Sequence, residues 1–103
     1  MAGFTTVAKT SEIQSGSAKM VEAAGKRIAL FNVDGKFYAI DDTCTHRGGP
    51  LSEGQIDGDT VTCPWHNAAF DIKTGQSLGP PAPKGVQAYK VQVDGSDIKI
   101  ELP

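Results

Sequence analysis

The sequence predicts an all-β domain of small stacked antiparallel sheets. Three observations lead there. Short apolar runs alternate with polar residues, glycine turns separate them at Ala24-Gly25, Asp34-Gly35 and Asp94-Gly95, and the one stretch with helical capping character, Ser11 to Ser17, is interrupted by Gly16. Alternation at period two marks half-buried strands, and glycine beside Asp marks the tight turns of hairpins.

Taken in order, Phe4 to Ala8 reads as a first strand, with Phe4, Thr6 and Ala8 on one face and Thr5, Val7 and Lys9 on the other. Ser11 to Ser17 is a polar connection; Ser11 with Gln14 resembles a weak capping box, but the glycine favours a loop. Lys19 to Ala24, Lys26 to Val33 and Lys36 to Ile40 are expected as three antiparallel strands, with Ile28, Leu30, Phe37 and Ile40 in the core. After Ile40 the periodicity stops. Gln55 to Asp57 and Thr60 to Cys63 form a hairpin about Gly58, and Ala69 to Ile72 with the turn Lys73-Thr74-Gly75 closes an insert spanning about 41–83. Gly79 to Pro83 holds three prolines, which cannot donate to a sheet ladder. Val86 to Val93 and Ile98 to Leu102 form the last hairpin and return to the base sheets at 1–40 and 84–103.

The 103 residues suit one domain, 1–103, without room for a second catalytic core. A net charge of -2 argues against nucleic acid, which favours a basic face. The stretch from Met1 to Thr10 has neither a basic start followed by an apolar run nor twin arginines, and no window is long and apolar enough for a bilayer. The expectation is a soluble cytoplasmic protein.

The chemistry concentrates between residues 44 and 66. Cys44, His46, Cys63 and His66 are the only cysteines and histidines in the chain, arranged as Cys-x-His and Cys-x-x-His with residues 47–62 between. In each half, one short loop can aim both ligands at a single site. Two thiolates and two imidazoles fit a tetrahedral zinc, or a [2Fe–2S] cluster with the cysteines on one iron and the histidines on the other. A disulfide is the remaining alternative, disfavoured by a reducing cytosol and by the adjacent histidines.

The pattern Cys44-Thr45-His46-Arg47-Gly48-Gly49-Pro50-Leu51 with Cys63-Pro64-Trp65-His66-Asn67-Ala68-Ala69-Phe70-Asp71, the turn Thr74-Gly75 and the run Gly79-Pro80-Pro81-Ala82-Pro83 resemble the Rieske-type ferredoxins of bacterial aromatic-ring-hydroxylating dioxygenase systems. The resemblance implies the Rieske fold, with a cluster-binding subdomain at one tip and one [2Fe–2S] cluster. Cys44 and Cys63 would hold the inner iron, and His46 and His66 the outer one, where the electron arrives. Backbone N–H groups of Arg47, Gly48, Gly49, Asn67 and Ala68 would donate to the sulfides, with glycine permitting close approach. The proline segment, including Pro81, would act as a lid. Trp65 reads first as an apolar shield over the cluster and second as a docking or electron-exit residue. Such an insert is expected to have little apolar core of its own and to be disordered without its cofactor.

Replacing two thiolates by neutral imidazoles makes electron uptake easier, which places Rieske potentials at roughly −150 to +300 mV against about −400 mV for plant-type clusters. Departures from the respiratory branch of the family point to the low end. That branch joins an extra cysteine in each loop as a disulfide, at positions that here are Gly49 and Trp65. It also presents Ser and Tyr hydroxyls to sulfur, at positions that here are Ala68 and Phe70. A potential near about −150 mV is expected.

With both histidines already assigned, no mononuclear-iron site or catalytic constellation remains, so the chain is expected to be an electron carrier and not an enzyme. The resemblance implies partners: an NAD(P)H-dependent flavoprotein ferredoxin reductase and a terminal Rieske non-haem iron dioxygenase, served by a monomer. The small Rieske subunit of an NAD(P)H nitrite reductase or another oxidoreductase complex is the alternative within the fold, and a structural zinc interaction module the alternative outside it. Asp41, Asp42, Glu53, Asp57 and Asp59 surround the ligand loops in sequence and form a candidate acidic collar for steering a basic partner.

Overall fold

The computed structural model describes residues 3–23, 25–43, 50–64, 68–79 and 85–102. Its strands are β1 (Gly3–Lys9), β2 (Ala18–Ala23), β3 (Lys26–Val33), β4 (Lys36–Asp41), β5 (Gln55–Asp57), β6 (Thr60–Thr62), β7 (Ala69–Asp71), β8 (Ala88–Tyr89), β9 (Val91–Asp94) and β10 (Asp97–Leu102). Two one-turn 3₁₀ segments, Thr10–Glu12 and Leu51–Glu53, interrupt them. The described strands form three antiparallel sheets ordered β1-β10-β9, β2-β3-β4-β8 and β5-β6-β7. The all-β expectation therefore holds.

Strand β3 explains how three small sheets make one body. Successive side chains on a strand point to opposite faces. Ala29 and Phe31 pack with Leu51, Val61, Cys63, Phe70 and Ile72. Ile28 and Leu30 face the other way, into a core with Ala8, Ile98 and Ile100. Neighbouring strand β4 repeats the division, with Ile40 and Tyr38 toward the first core and Ala39 and Phe37 toward the second. The middle sheet is thus covered on both faces, which is why Ile28-Ala29-Leu30-Phe31 reads as an unbroken apolar run in place of an alternating one.

This layering corrects one expectation directly. The insert is not poor in apolar core: Leu51, Val61, Ala68, Phe70 and Ile72 are all fully buried against the middle sheet. Its hydrophobic partner lies upstream in the chain, so reading the insert by itself underestimated it. Phe37 is a second correction, since it is only half-buried. It sits at the start of β4 beside the exposed turn and packs on the edge of the second core.

The turn chemistry is as the residues suggest. Val33 pairs with Lys36 across Asp34-Gly35, where φ is 53° and 86°, the double positive φ of a type I′ hairpin. Asp34 is the one positive-φ non-glycine among the described residues. Gly25 has φ 76°, and Ala24 lies outside the described residues. The Ser11–Ser17 connection is a loop as expected beyond Glu12, and it is entered through the first 3₁₀ turn, where the Lys9 N–H donates to Glu12 Oε1 at 2.7 Å. The capping contact is thus made by Glu12 and not by a Ser11–Gln14 pair. In β1 the register shifts between Thr6 and Ala8; Ala8 is buried while Phe4 is 42% exposed, so Phe4 and Ala8 do not share a buried face.

The run Val86 to Val93 divides. Tyr89 and Ala88 pair with Ala39 and Ile40 in the middle sheet, whereas Val91 to Asp94 pair with β10 in the outer one. Lys90 marks the crossing, its carbonyl accepting from the Glu101 N–H at 3.0 Å. Period-two patterning is blind to such a change because each half keeps its alternation. The Tyr89 hydroxyl donates to Asp41 Oδ1 at 2.6 Å, and burial, followed by that carboxylate, pushes the phenol above its ordinary range.

That shift has a defined sign. The folded protein holds the Tyr89 proton more tightly than the unfolded chain, whose value is 10.0. The associated stability is complete below about pH 10 and fades as the pH climbs through the higher folded value. Urea midpoints measured between about pH 9 and 11 are expected to fall with rising pH, and less steeply in Tyr89→Phe. An equal slope in the variant would contradict the assignment.

Candidate metal centre

Strand β4 runs directly into the first ligand segment. Asp42 follows, its N–H donating to the Arg27 carbonyl at 3.0 Å, and Thr43 forms an isolated antiparallel bridge with Pro50. The described residues on either side of 44–49 are thus joined, Asp42 to β3 and Thr43 to Pro50. Past Pro50 the second 3₁₀ turn lays Leu51 into the first core. Gly54 then passes against β6 so closely that a Cβ would collide with the Thr62 carbonyl oxygen.

The β5–β6 hairpin, Asp57 paired with Thr60 around Gly58 at φ 61°, delivers Cys63 from the strand end. The Cys63 N–H donates to the Ala68 carbonyl at 2.7 Å, which extends the β6–β7 pairing to these two residues. Strand β7 follows, with Phe70 opposite Val61. Its exit is an Asx turn in which Asp71 Oδ1 accepts from the N–H groups of Lys73 at 2.8 Å and Thr74 at 3.2 Å.

The same turn fixes the base of the proline segment. The Val86 N–H donates to the Gly75 carbonyl at 2.7 Å, and the Leu78 N–H to the Ala69 carbonyl at 2.9 Å. Gly75 has φ 78°, and a Cβ there would strike the Val86 carbonyl. Gly85 is equally tight against the Gly75 carbonyl and Gln76. The chain flanking 80–84 thus approaches backbone to backbone, which side chains would prevent.

Of the predicted site residues, Cys63 and Ala68 are described, and both are fully buried in the first core. Cys44, His46, Arg47, Gly48, Gly49, Trp65, His66, Asn67 and Pro81 lie outside the described residues. Leu51, Cys63 and Ala68 belong to one core, with Val86 packed against it, so the flanks of all three segments converge on the same side of the molecule. Among the described residues no group of His, Cys, Asp and Glu could hold a metal, so these carboxylates offer no competing centre. A thiol withdrawn from water at the rim of an apolar core suits a soft, iron–sulfur type of ligation, which is tuned by low solvent exposure.

The structure also redistributes the acidic collar. Asp42 is 4% exposed and its carboxylate accepts a backbone hydrogen bond, while Asp41 accepts from Tyr89. Glu53, Asp57 and Asp59 are the exposed members, and Asp59 is 3.5 Å from Lys73 Nζ. Sequence reading placed Asp42 with the solvated charges because nothing local marks it as buried. The turn beginning at Pro50, eight residues downstream and without a side-chain cap of its own, was the available signal.

Three small antiparallel sheets, the third packed on the middle one through Val61, Cys63, Phe70 and Ile72, define an all-β protein. The Rieske [2Fe-2S] domain model matches residues 3–90, and the chain belongs to that family. It is 46% identical over 94 residues to the 3-phenylpropionate/cinnamic acid dioxygenase ferredoxin subunit of Shigella boydii, covering 90% of this chain and 88% of that one. The Sphingomonas yanoikuyae B1 ferredoxin superposes with a TM-score of 0.91 at 27% identity, over 98% of this chain and 100% of that one. A chain in a complex of reduced oxygenase and oxidised ferredoxin of carbazole 1,9a-dioxygenase matches with a TM-score of 0.87 at 34% identity, over 94% and 91% of the two chains. The cofactor is accordingly one Rieske cluster, and the chain is an electron-transfer component and not a catalyst.

Proposed function

We propose that this protein carries single electrons from an NAD(P)H-dependent flavoprotein ferredoxin reductase to a terminal aromatic-ring dioxygenase, working as a cytoplasmic monomer. The observation carrying the reading is the near full-length, two-way match to a dioxygenase ferredoxin subunit, 90% of this chain against 88% of that one. The whole of 1–103 acts as one Rieske domain, with the insert at about 41–83 bearing the centre.

In this reading Cys44 and Cys63 hold the inner iron and His46 and His66 the outer one. The bound cluster supplies a centre that takes up and returns one electron. Cys63 is kept dry by the core beneath it. The N–H groups of Arg47, Gly48, Gly49, Asn67 and Ala68 stabilise the sulfides, and Trp65 and the segment around Pro81 exclude water. Imidazole ligands would shorten the electron's route to the partner's own centre. Contacts with partners are small and short-lived, as transient redox encounters are.

The exposed carboxylates Glu53, Asp57 and Asp59 steer a basic partner face. Purified reductase, this protein and terminal oxygenase, supplied with NADH, test both ideas. Product formation is expected to depend on this protein, and its rate at limiting ferredoxin to fall several-fold as ionic strength rises from about 0.02 to 0.5 M, because the Debye length shortens from about 20 Å to a few ångströms. Glu53→Gln/Asp57→Asn/Asp59→Asn is expected to start lower and respond less. Electron transfer that is flat with salt would remove the steering role, and no transfer to any such oxygenase would remove the carrier assignment.

A further inference from the structure

We propose that Asp42 is a positioning residue for the iron ligands of the first loop, an inference that rests on the reading of Cys44 and His46 as ligands. Asp42 and Asn32 are the two buried polar residues among the described ones. Asn32 is explained by its bonds to the Ile13 carbonyl and the Gly35 N–H, which join two loops far from the centre along the chain. Asp42 has a different task.

The 3₁₀ turn Leu51–Glu53 begins at Pro50, whose ring offers no side-chain acceptor for the first N–H groups of the turn. Asp42 supplies both missing partners from across the ligand loop. Its carbonyl accepts from the Leu51 N–H at 2.6 Å, and its Oδ1 from the Ser52 N–H at 2.7 Å. Its own N–H donates to the Arg27 carbonyl of β3. One residue thereby binds the middle sheet, the entry to segment 44–49 and its exit. With the Thr43–Pro50 bridge above it, it fixes where the ends of that segment stand. A cap supplied at a distance holds the loop in register in a way that a local Ser or Asp at position 50 would not, because the local residue would satisfy the turn without gripping β4. Cys44 lies two residues from Asp42, so a displacement at the clamp passes to the ligand with little chain to absorb it.

The test compares Asp42→Ala and Asp42→Asn with wild type, as holoprotein, by EPR of the reduced state and by cluster half-life in air. Asn keeps an oxygen acceptor and is expected to give wild-type g-values. Ala leaves the Ser52 N–H without its cap and is expected to shift and broaden the g-values and shorten the half-life about tenfold. Val21→Ala, in the second core, provides a comparable loss of stability and is expected to leave the spectrum unmoved. If Asp42→Ala yields no folded protein, Asp42→Ser, with its shorter reach, must show the shifted spectrum. An Ala or Ser variant with lowered stability but wild-type g-values would overturn the proposal, as would an Asn variant that shifts as far as Ala. Wild-type protein lacking the cluster signal would instead overturn the ligand reading beneath it.

Discussion

Introducing hydroxyls by Ala68→Ser and Phe70→Tyr is expected to raise the reduction potential by about 130–260 mV when the two are combined. Each hydroxyl bonded to sulfur strengthens its bond when the centre gains an electron, and a hydrogen bond to a charged group contributes roughly 1.5–3 kcal/mol. One electron converts this at about 59 mV per tenfold change in equilibrium, or roughly 65–130 mV per bond. Ala68 takes its place directly from Cys63, through the hydrogen bond between their main chains, and Phe70 lies opposite Val61 two residues before Cys63. Both side chains are fully buried, so water does not compete for a new donor. Burial also makes the experiment discriminating. A hydroxyl that finds no sulfur acceptor would cost about 1–3 kcal/mol of stability and leave the potential unchanged. Spectroelectrochemical titration beside urea unfolding separates these outcomes, and a destabilised double variant at the wild-type potential would contradict the tuning account.

Cys63→Ala is expected to abolish cluster binding while leaving β5, β6 and β7 folded. The sequence alone suggests the opposite, an insert held together by its metal. The structure changes the balance because Leu51, Val61, Phe70 and Ile72 are fully buried against Ala29, Phe31 and Ile40 of the middle sheet. Burying each such side chain contributes about 1.5–3 kcal/mol, an upper range given residual compactness of the unfolded chain. Four of them supply about 6–12 kcal/mol, comparable with the whole stability of a small domain. Hydrogen exchange of the apo variant is therefore expected to retain protection at the Val61 and Asp71 amides, and visible absorption from the cluster to disappear. Unprotected amides throughout residues 55–72 would show that the metal, and not the core, holds this layer.

These two results mark where the sequence was legible. A candidate ligand set could be read because Cys44, His46, Cys63 and His66 are the chain's only cysteines and histidines; of the four, Cys63 is among the described residues. Hairpins were legible wherever a turn has its own chemistry, as at Asp34-Gly35. What was hidden depends on partners distant in the chain. The burial of the insert comes from β3, the division at Lys90 comes from a change of sheet, and the burial of Asp42 comes from a turn that Pro50 cannot cap. None of these leaves a mark in local periodicity. Phe37 erred for the related reason that alternation assigns a face but not how far an edge position is covered.

The most direct measurement is low-temperature EPR of the dithionite-reduced protein combined with titration of its potential. A rhombic spectrum whose average g lies below that of all-Cys clusters, with a midpoint near about −150 mV, is the predicted result for a centre ligated by His46 and His66 and lacking the two hydroxyls. A signal of the all-Cys type, or a colourless zinc protein from iron-replete cells, would contradict the ligand set. The same rhombic signal at a potential above zero would contradict the account of Ala68 and Phe70.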